Sequence, residues 1–189
     1  MSDVIDLLAK RRSVPANALA EPAPNAAELE TILTIASRVP DHGKLAPWRF
    51  IVIEGDARAE LGRRLAAILQ ETDPSAPEAR IAAQAACFSQ SAMVVAVVST
   101  AAPHVKIPEW EQELSAGAVC MNMSIAAHAL GYGAIWLTGW AAYEPRAGEA
   151  LGLASGEQVA GFIHLGTPTE RWADRPRPEL AAIVTRWTA

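Results

Sequence analysis

The stretch EQELSAGAVCMNMSIAAHALGYGAIWLTG, residues 111–139, decides how the whole chain is read. From Leu114 through Tyr143 there is no Asp, Glu, Lys or Arg. About 20 apolar residues suffice to cross a bilayer, so the first question is whether this segment does. Asn122, Ser124, His128, Gly131, Gly133 and Gly139 interrupt it, and its pattern changes after Gly131. A helix over about Glu111–Leu130, ended by Gly131, and then a buried strand at 133–139 account for it better. No membrane span is expected. A helix apolar on every side has to be covered all round. In a chain of 189 residues, that cover is expected to include a second copy of the same helix.

Outward from this segment the pattern alternates. AMVVAVVST (92–100) is a continuous apolar run of strand length, expected to be buried on both faces. RFIVIE (Arg49–Glu54) is a β-rich run closed by a Gly-Asp turn, and QVAGFIHLGTP (158–168) is a further strand. Helices are expected over Asp3–Arg11, Ala26–Arg38, Ala57–Glu71 and Glu78–Ser89, with a short one in EPRAGEALGL. The second opens on a capping box, Asn25-Ala-Ala-Glu28, and TDPSAP separates the third from the fourth. The tail RWADRPRPELAAIVTRW begins as proline-rich loop and ends apolar. Helices outnumber strands, and neither repeat nor linker appears. One layered α+β domain over residues 1–189 is the expectation.

Composition narrows the function. A chain that is 51% apolar and 20% charged can bury a substantial core without staples. A net charge of −5 leaves no basic surplus to displace counterions, so no nucleic-acid partner is expected. Cys87 and Cys120 stand alone, and the histidines at 42, 104, 128 and 164 lack H-x-x-x-H spacing, which argues against a disulfide scaffold or a zinc site. The N-terminal stretch carries Asp3 and Asp6 and no long h-region. A reducing, cytoplasmic setting is expected.

Three clusters bear on chemistry. LLAKRRSVP sets Arg11, Arg12 and Ser13 side by side where the first helix ends. Cations there are favoured by the helix dipole, and two planar forks with a hydroxyl would also hold a phosphate. PDHGKLAPW (40–48) confines Asp41, His42 and Lys44 between two prolines, directly before a strand. A solvated turn needs no such run of ionisable groups, and loops at strand ends are where sites sit. GYG at 131–133 follows a helix and precedes a strand, the reverse of a dinucleotide fingerprint, and lacks its third glycine. Cys120 and His128 share the uncharged helix and read as core rather than as a nucleophile pair.

RRS, PDHGKLAPWRFIVIEG, WEQELSAGAVCMNM, LGYGAIWLTG and GFIHLGTP, in that order, resemble the nitroreductase family of FMN flavoproteins. The likeness is nearest to its small NAD(P)H nitroreductases with PDH and WEQE motifs. It covers nearly the whole chain, with five motifs in register. It implies an α+β sheet flanked by helices and a homodimer with two FMN sites at the interface, the long uncharged helix lying in the dimer core. By position, Arg11, Arg12 and Ser13 would hold the FMN phosphate and ribityl end. Arg38 and His42 match flavin-contacting positions of the other protomer. Trp136, Leu137 and Thr138 match the strand end beneath the isoalloxazine, Ala126–Gly131 a stretch assigned to NAD(P)H, and Arg177 a closing basic residue that reaches the phosphate.

Two departures stand out. The pattern R-x-S-x-[RK] ends here in Pro15, and Asn-x-Gln-Pro-Trp becomes Lys44-Leu-Ala46-Pro-Trp48. Positive charge near flavin N1 must then come from Arg12, Arg38 or Lys44. The resemblance implies an FMN-dependent oxidoreductase passing hydride from NADH or NADPH, through the flavin, to a nitroaromatic or quinone-like acceptor, with no side chain needed as acid or base. Reductive dehalogenation, flavin breakdown, or a non-catalytic flavin-binding module are the alternatives, since fold likeness does not fix the reaction.

Overall fold

The computed structural model describes residues 3–188. The chain runs α1 (Asp3–Lys10), β1 (Leu19–Ala20), α2 (Ala26–Ala36), β2 (Trp48–Ile53), α3 (Ala57–Thr72), α4 (Glu78–Ala86) and β3 (Met93–Ser99). It continues through α5 (Glu109–Ala129), β4 (Gly133–Leu137), α6 (Trp140–Tyr143), α7 (Pro145–Leu151), β5 (Gln158–Pro168) and α8 (Leu180–Ile183). Single 3₁₀ turns lie at Ala16–Ala18 and His42–Lys44. Every strand pairing is antiparallel, β2 with β3, β3 with β5, and both β4 and β1 with β5.

The unbroken apolar run of β3 has a simple cause. All seven residues are buried, and successive side chains feed two different cores. Met93, Val95 and Val97 pack with Ile32 and Ala36 of α2 and with Val119, Cys120 and Met123 of α5. Val94 and Ala96 pack on the other face with Leu65 of α3 and with Ala147 and Leu151 of α7. Each fully buried aliphatic side chain of this kind contributes about 1.5–3 kcal/mol. The sheet is covered by helices on both faces, so polar alternation has no place in it.

Local chemistry fixes the surrounding helices. The Asn25 side chain accepts from the backbone N–H groups of Ala27 and Glu28 at 3.0 and 3.1 Å. Glu28 in turn accepts from the Asn25 N–H at 2.9 Å, completing the capping box. The same carboxylate accepts from the Tyr132 hydroxyl at 2.7 Å, so GYG ties the exit of α5 to the start of α2. At Gly62 of α3 a Cβ would meet the Ala85 carbonyl at 2.1 Å, so a glycine is what lets α3 and α4 touch.

The structure departs from the sequence reading at element ends. α2 stops at Ala36 and α4 at Ala86, short of Arg38 and Ser89, and β4 stops at Leu137 rather than 139. Gly139, at φ +147, turns the chain there. β1 and α6 were not foreseen, since two and four residues are too short to show a period. α5 is covered on one side alone within this chain. Val119, Cys120, Met123 and Ala127 are buried, while Trp110, Leu114 and Met121 are 65%, 54% and 37% exposed. α1 buries no residue. No described helix is long and apolar enough to cross a membrane.

Candidate functional site

Three distant parts of the chain meet just beyond the end of α1. The Val14 N–H donates to the Ala134 carbonyl at 3.1 Å, laying Ser13–Val14 beside the start of β4. The tail after β5 folds back onto the same place: Arg12 Nε donates to the Ala173 carbonyl at 3.1 Å. From α5, His128 Nε2 lies 2.8 Å from the Arg12 carbonyl, and Nδ1 lies 2.7 Å from the Ser124 carbonyl. Both ring nitrogens are therefore engaged with backbone.

The electrostatics of this junction are lopsided. Burial, then Arg177, Arg12 and Arg175, draw the Arg11 guanidinium below its ordinary pKa. Asp174 lies 3.7 Å from Arg12 and 3.2 Å from Arg177. Its carboxyl sits below the usual range, held first by the Arg175 backbone N–H and then by the charges of Arg177 and Arg12. Among the described residues, the Arg11 side chain has no hydrogen bond or ion pair. Four guanidinium groups beside one carboxylate repel each other and favour an anion of more than one charge. The helix-dipole reading accounts for Lys10, which pairs with Asp6 at 2.6 Å. It does not account for the return of the tail.

From Ala134 the strand climbs at about 3.3 Å per residue, so its far end lies roughly 10 Å from Ser13. There Trp136 is 41% exposed, and Leu137 and Thr138 are open beside it. The indole Nε1–H donates to the Ala160 carbonyl at 3.1 Å. The ring crowds Gly161, where a Cβ would collide with the indole nitrogen. A pinned, half-exposed indole at one end and a cation cluster at the other suit an elongated ligand, planar at one end and anionic at the other.

Arg38 and His42 lie elsewhere. The Asp41 carboxylate accepts from the Leu45 and Ala46 N–H groups at 3.0 and 2.9 Å. That clasp accompanies left-handed backbone at Lys44 (φ +56) and Ala46 (φ +46), a conformation costing about 1–3 kcal/mol at a non-glycine residue. His42 Nδ1 faces Glu111 of α5 at 2.6 Å, and the Ser115 hydroxyl donates to the Pro40 carbonyl at 2.6 Å. Asn122 Nδ2 donates to the Arg38 carbonyl at 3.0 Å. The side chains of Arg38 and Lys44 have no hydrogen bond or ion pair among the described residues. Glu111 and His128 are roughly 25 Å apart along one helix at 1.5 Å per residue. His42 is therefore held far along α5 from the Arg12 contact, whereas the Arg38 backbone, seated at Asn122, lies six residues from His128, about 9 Å along the helix.

Sequence reasoning missed Arg175, although RPRP carried the signal: two arginines spaced by proline can both face one anion. It read Cys120 correctly as core. The thiol is buried, burial pushes its pKa up to about 12, and His128 is committed to carbonyls. No group of three His, Cys, Asp or Glu among the described residues could hold a metal ion.

An antiparallel sheet covered by helices, with a cation junction at one strand edge, defines a class that comparison with known proteins identifies. Residues 8–167 match the Nitroreductase family, and the chain belongs to it. It is 40% identical over 169 residues to "Putative NAD(P)H nitroreductase YdjA" of Escherichia coli K12, covering 88% of each chain. Among solved structures, a nitroreductase-like family protein of Bacillus cereus superposes with a TM-score of 0.83 at 21% identity, over 98% of this chain and 96% of that one. A nitroreductase with bound FMN from Bacteroides fragilis superposes with a TM-score of 0.73 at 20% identity over the full length of both.

Proposed function

We propose that this chain is a homodimeric, FMN-dependent NAD(P)H oxidoreductase that reduces nitroaromatic or quinone-like acceptors, working as one unit over residues 1–189. The observation that carries the reading is the junction of Arg11, Arg12, Arg175 and Arg177, whose mutual repulsion a phosphate would relieve. Family membership and the curated relative's name support the same activity. Bound FMN supplies the redox chemistry, taking hydride from NADH or NADPH and passing reducing equivalents to the acceptor.

The chain's own residues bind and orient. Arg11, Arg12, Ser13 and Arg177 hold the phosphate end, joined by Arg175. Trp136, Leu137 and Thr138 border the ring. Arg38 and His42 reach the site from the second protomer, as the family resemblance implies, and His42, held at Glu111, lies roughly 25 Å along α5 from His128 in its own chain. The exposed stripe Trp110, Leu114 and Met121 on α5 is the face a second copy would cover. No side chain is assigned as acid or base. Cys87 and Cys120 are both free, which suits a reducing compartment such as the cytoplasm.

The test begins with the visible spectrum of the purified protein, where oxidised-flavin bands are expected and their failure to appear on adding FMN would overturn the cofactor. NADH and NADPH oxidation is then followed with and without a nitroaromatic or quinone. Acceptor-dependent oxidation supports the reading. Flavin without turnover would make the protein a binding module, and turnover of a halogenated phenol alone would make it a different flavin enzyme.

A further inference from the structure

A cavity of ≈ 120 Å³ lies behind the end of β4, on the sheet face away from α5. It shares Leu137 and Thr138 with the site above but opens on other walls. Phe88 and Phe162 stand edge to face, with ring centroids 5.0 Å apart, and Trp140 and Cys87 flank them. No charged residue lines it.

Its one buried acceptor is His164, 4% exposed. The Ser91 hydroxyl donates to the Met93 carbonyl at 3.1 Å and lies 2.9 Å from His164 Nδ1. A serine hydroxyl has a single hydrogen; with that hydrogen given to the Met93 carbonyl, the contact to His164 is made by an Nδ1 proton. Nε2 is left as a bare lone pair with no partner among the described residues. No described buried side-chain nitrogen or oxygen is both shut off and unpartnered, so Nε2 opens into the cavity. Burial lowers the imidazole pKa to about 4, which keeps the lone pair available at neutral pH. The Cys87 thiol, raised to about 11 by burial, stays protonated and accepts from Gln84 Nε2 at 3.1 Å. The lining thus offers a guest apolar and aromatic walls, the His164 acceptor and the neutral polar groups of Gln84, Gln90 and Thr138, and nothing to balance a charge.

We propose that this cavity binds a neutral, phenol-sized aromatic whose hydroxyl donates to His164 Nε2 while its ring packs against the wall formed by Phe162, Trp140 and Leu137. The volume is that of a single ring: a cavity of about 150 Å³ lined by apolar side chains takes up benzene. Water could satisfy the lone pair but would make no apolar contact with the Leu137, Trp140 and Phe162 walls.

The experiment uses the purified full-length protein with its cofactor. Phenol, toluene and anisole are titrated by calorimetry, and the His164 ring nitrogens are followed by ¹⁵N resonance in histidine-labelled protein. Phenol is expected to bind once per chain and roughly five- to tenfold tighter than toluene or anisole, the worth of one net hydrogen bond. The Nε2 resonance should move with phenol and stay still with toluene. Cys87→Leu, which fills the cavity, should abolish phenol binding and leave the visible spectrum unchanged. Equal affinities for phenol and toluene, phenol binding that leaves Nε2 unmoved, or no binding to folded wild-type protein would each overturn the proposal, the last making water the sole guest. The wild-type comparison stands even if Cys87→Leu misfolds.

Discussion

The two ends of α5 hold cations in different ways. At its C-terminal end the guanidinium groups of Arg11, Arg12, Arg175 and Arg177 are gathered by a single chain, with one carboxylate between them. At its N-terminal end Glu109, Glu111 and Glu113 crowd the helix start and His42 meets Glu111, while in the loop that docks there the Lys44 side chain, like that of Arg38 leading into it, has no partner among the described residues. On the proposed reading, the first end receives an anion within one chain. The second end offers its cations to a second copy. Each chain would then assemble half of a site and present the other half to a neighbour.

The sharpest way to break this comparison is to charge the exposed stripe between the two ends. Met121 is 37% exposed in the single chain, where a glutamate would remain partly in water. Covered by a second copy, the same carboxylate would be unpaired, at a cost of several kcal/mol. Met121→Glu is therefore expected to convert a dimer into monomers and to lose flavin with it, read by sedimentation and absorbance. A wild-type monomer that keeps FMN would sink the shared site.

At the C-terminal end, Arg11→Ala should weaken FMN by one to two decades, since a charge-assisted contact to phosphate is worth about 1.5–3 kcal/mol. Riboflavin has no phosphate and should bind both proteins alike. Equal losses would return these arginines to a helix-end role. At the N-terminal end the effect moves from affinity to potential. Arg38→Met or Lys44→Met should lower the FMN midpoint potential, ~1.4 kcal/mol corresponding to about 30 mV for two electrons, with oxidised FMN still bound. His42→Asn should do less. No shift in either Met variant would make the PDHGK loop scaffold.

The smallest effect belongs to a pair complete in one chain. Arg49 donates two hydrogen bonds to Glu157 at 2.7 and 2.6 Å and holds its carboxyl down at about 2. A carboxyl with a depressed folded-state pKa stabilises above its unfolded value, near 4.3, and loses that contribution as pH falls toward 2. Glu157→Gln should thus lower the unfolding temperature slightly at pH 7, with the difference fading across that window and FMN affinity unchanged. A change in FMN affinity would show that even paired charges feed the site.

Much of this was legible in the residues. The apolar runs of β3 and β5, the capping box at Asn25 and the stop at Gly131 each have local causes, so the longer strands and helices are legible with shifts of up to three residues at their ends, whereas β1, α6 and α8 are too short to show a period. Arg11, Arg12 and Arg177 were legible as cations. Their convergence was not, because it depends on the tail returning to Ala173, a contact 161 positions away in sequence. The neutral state of His164 was hidden for the same reason. Its burial and its Ser91 partner are products of the sheet, and a lone histidine in an apolar strand carries neither signal.

Gly161 has a consequence for engineering. It is a buried residue of β5, and its missing side chain leaves the room that the Trp136 indole fills. Adding one methyl group there would tip the ring outward and reshape the open surface beside it from behind. Acceptor scope could then be tuned from a buried glycine behind the ring.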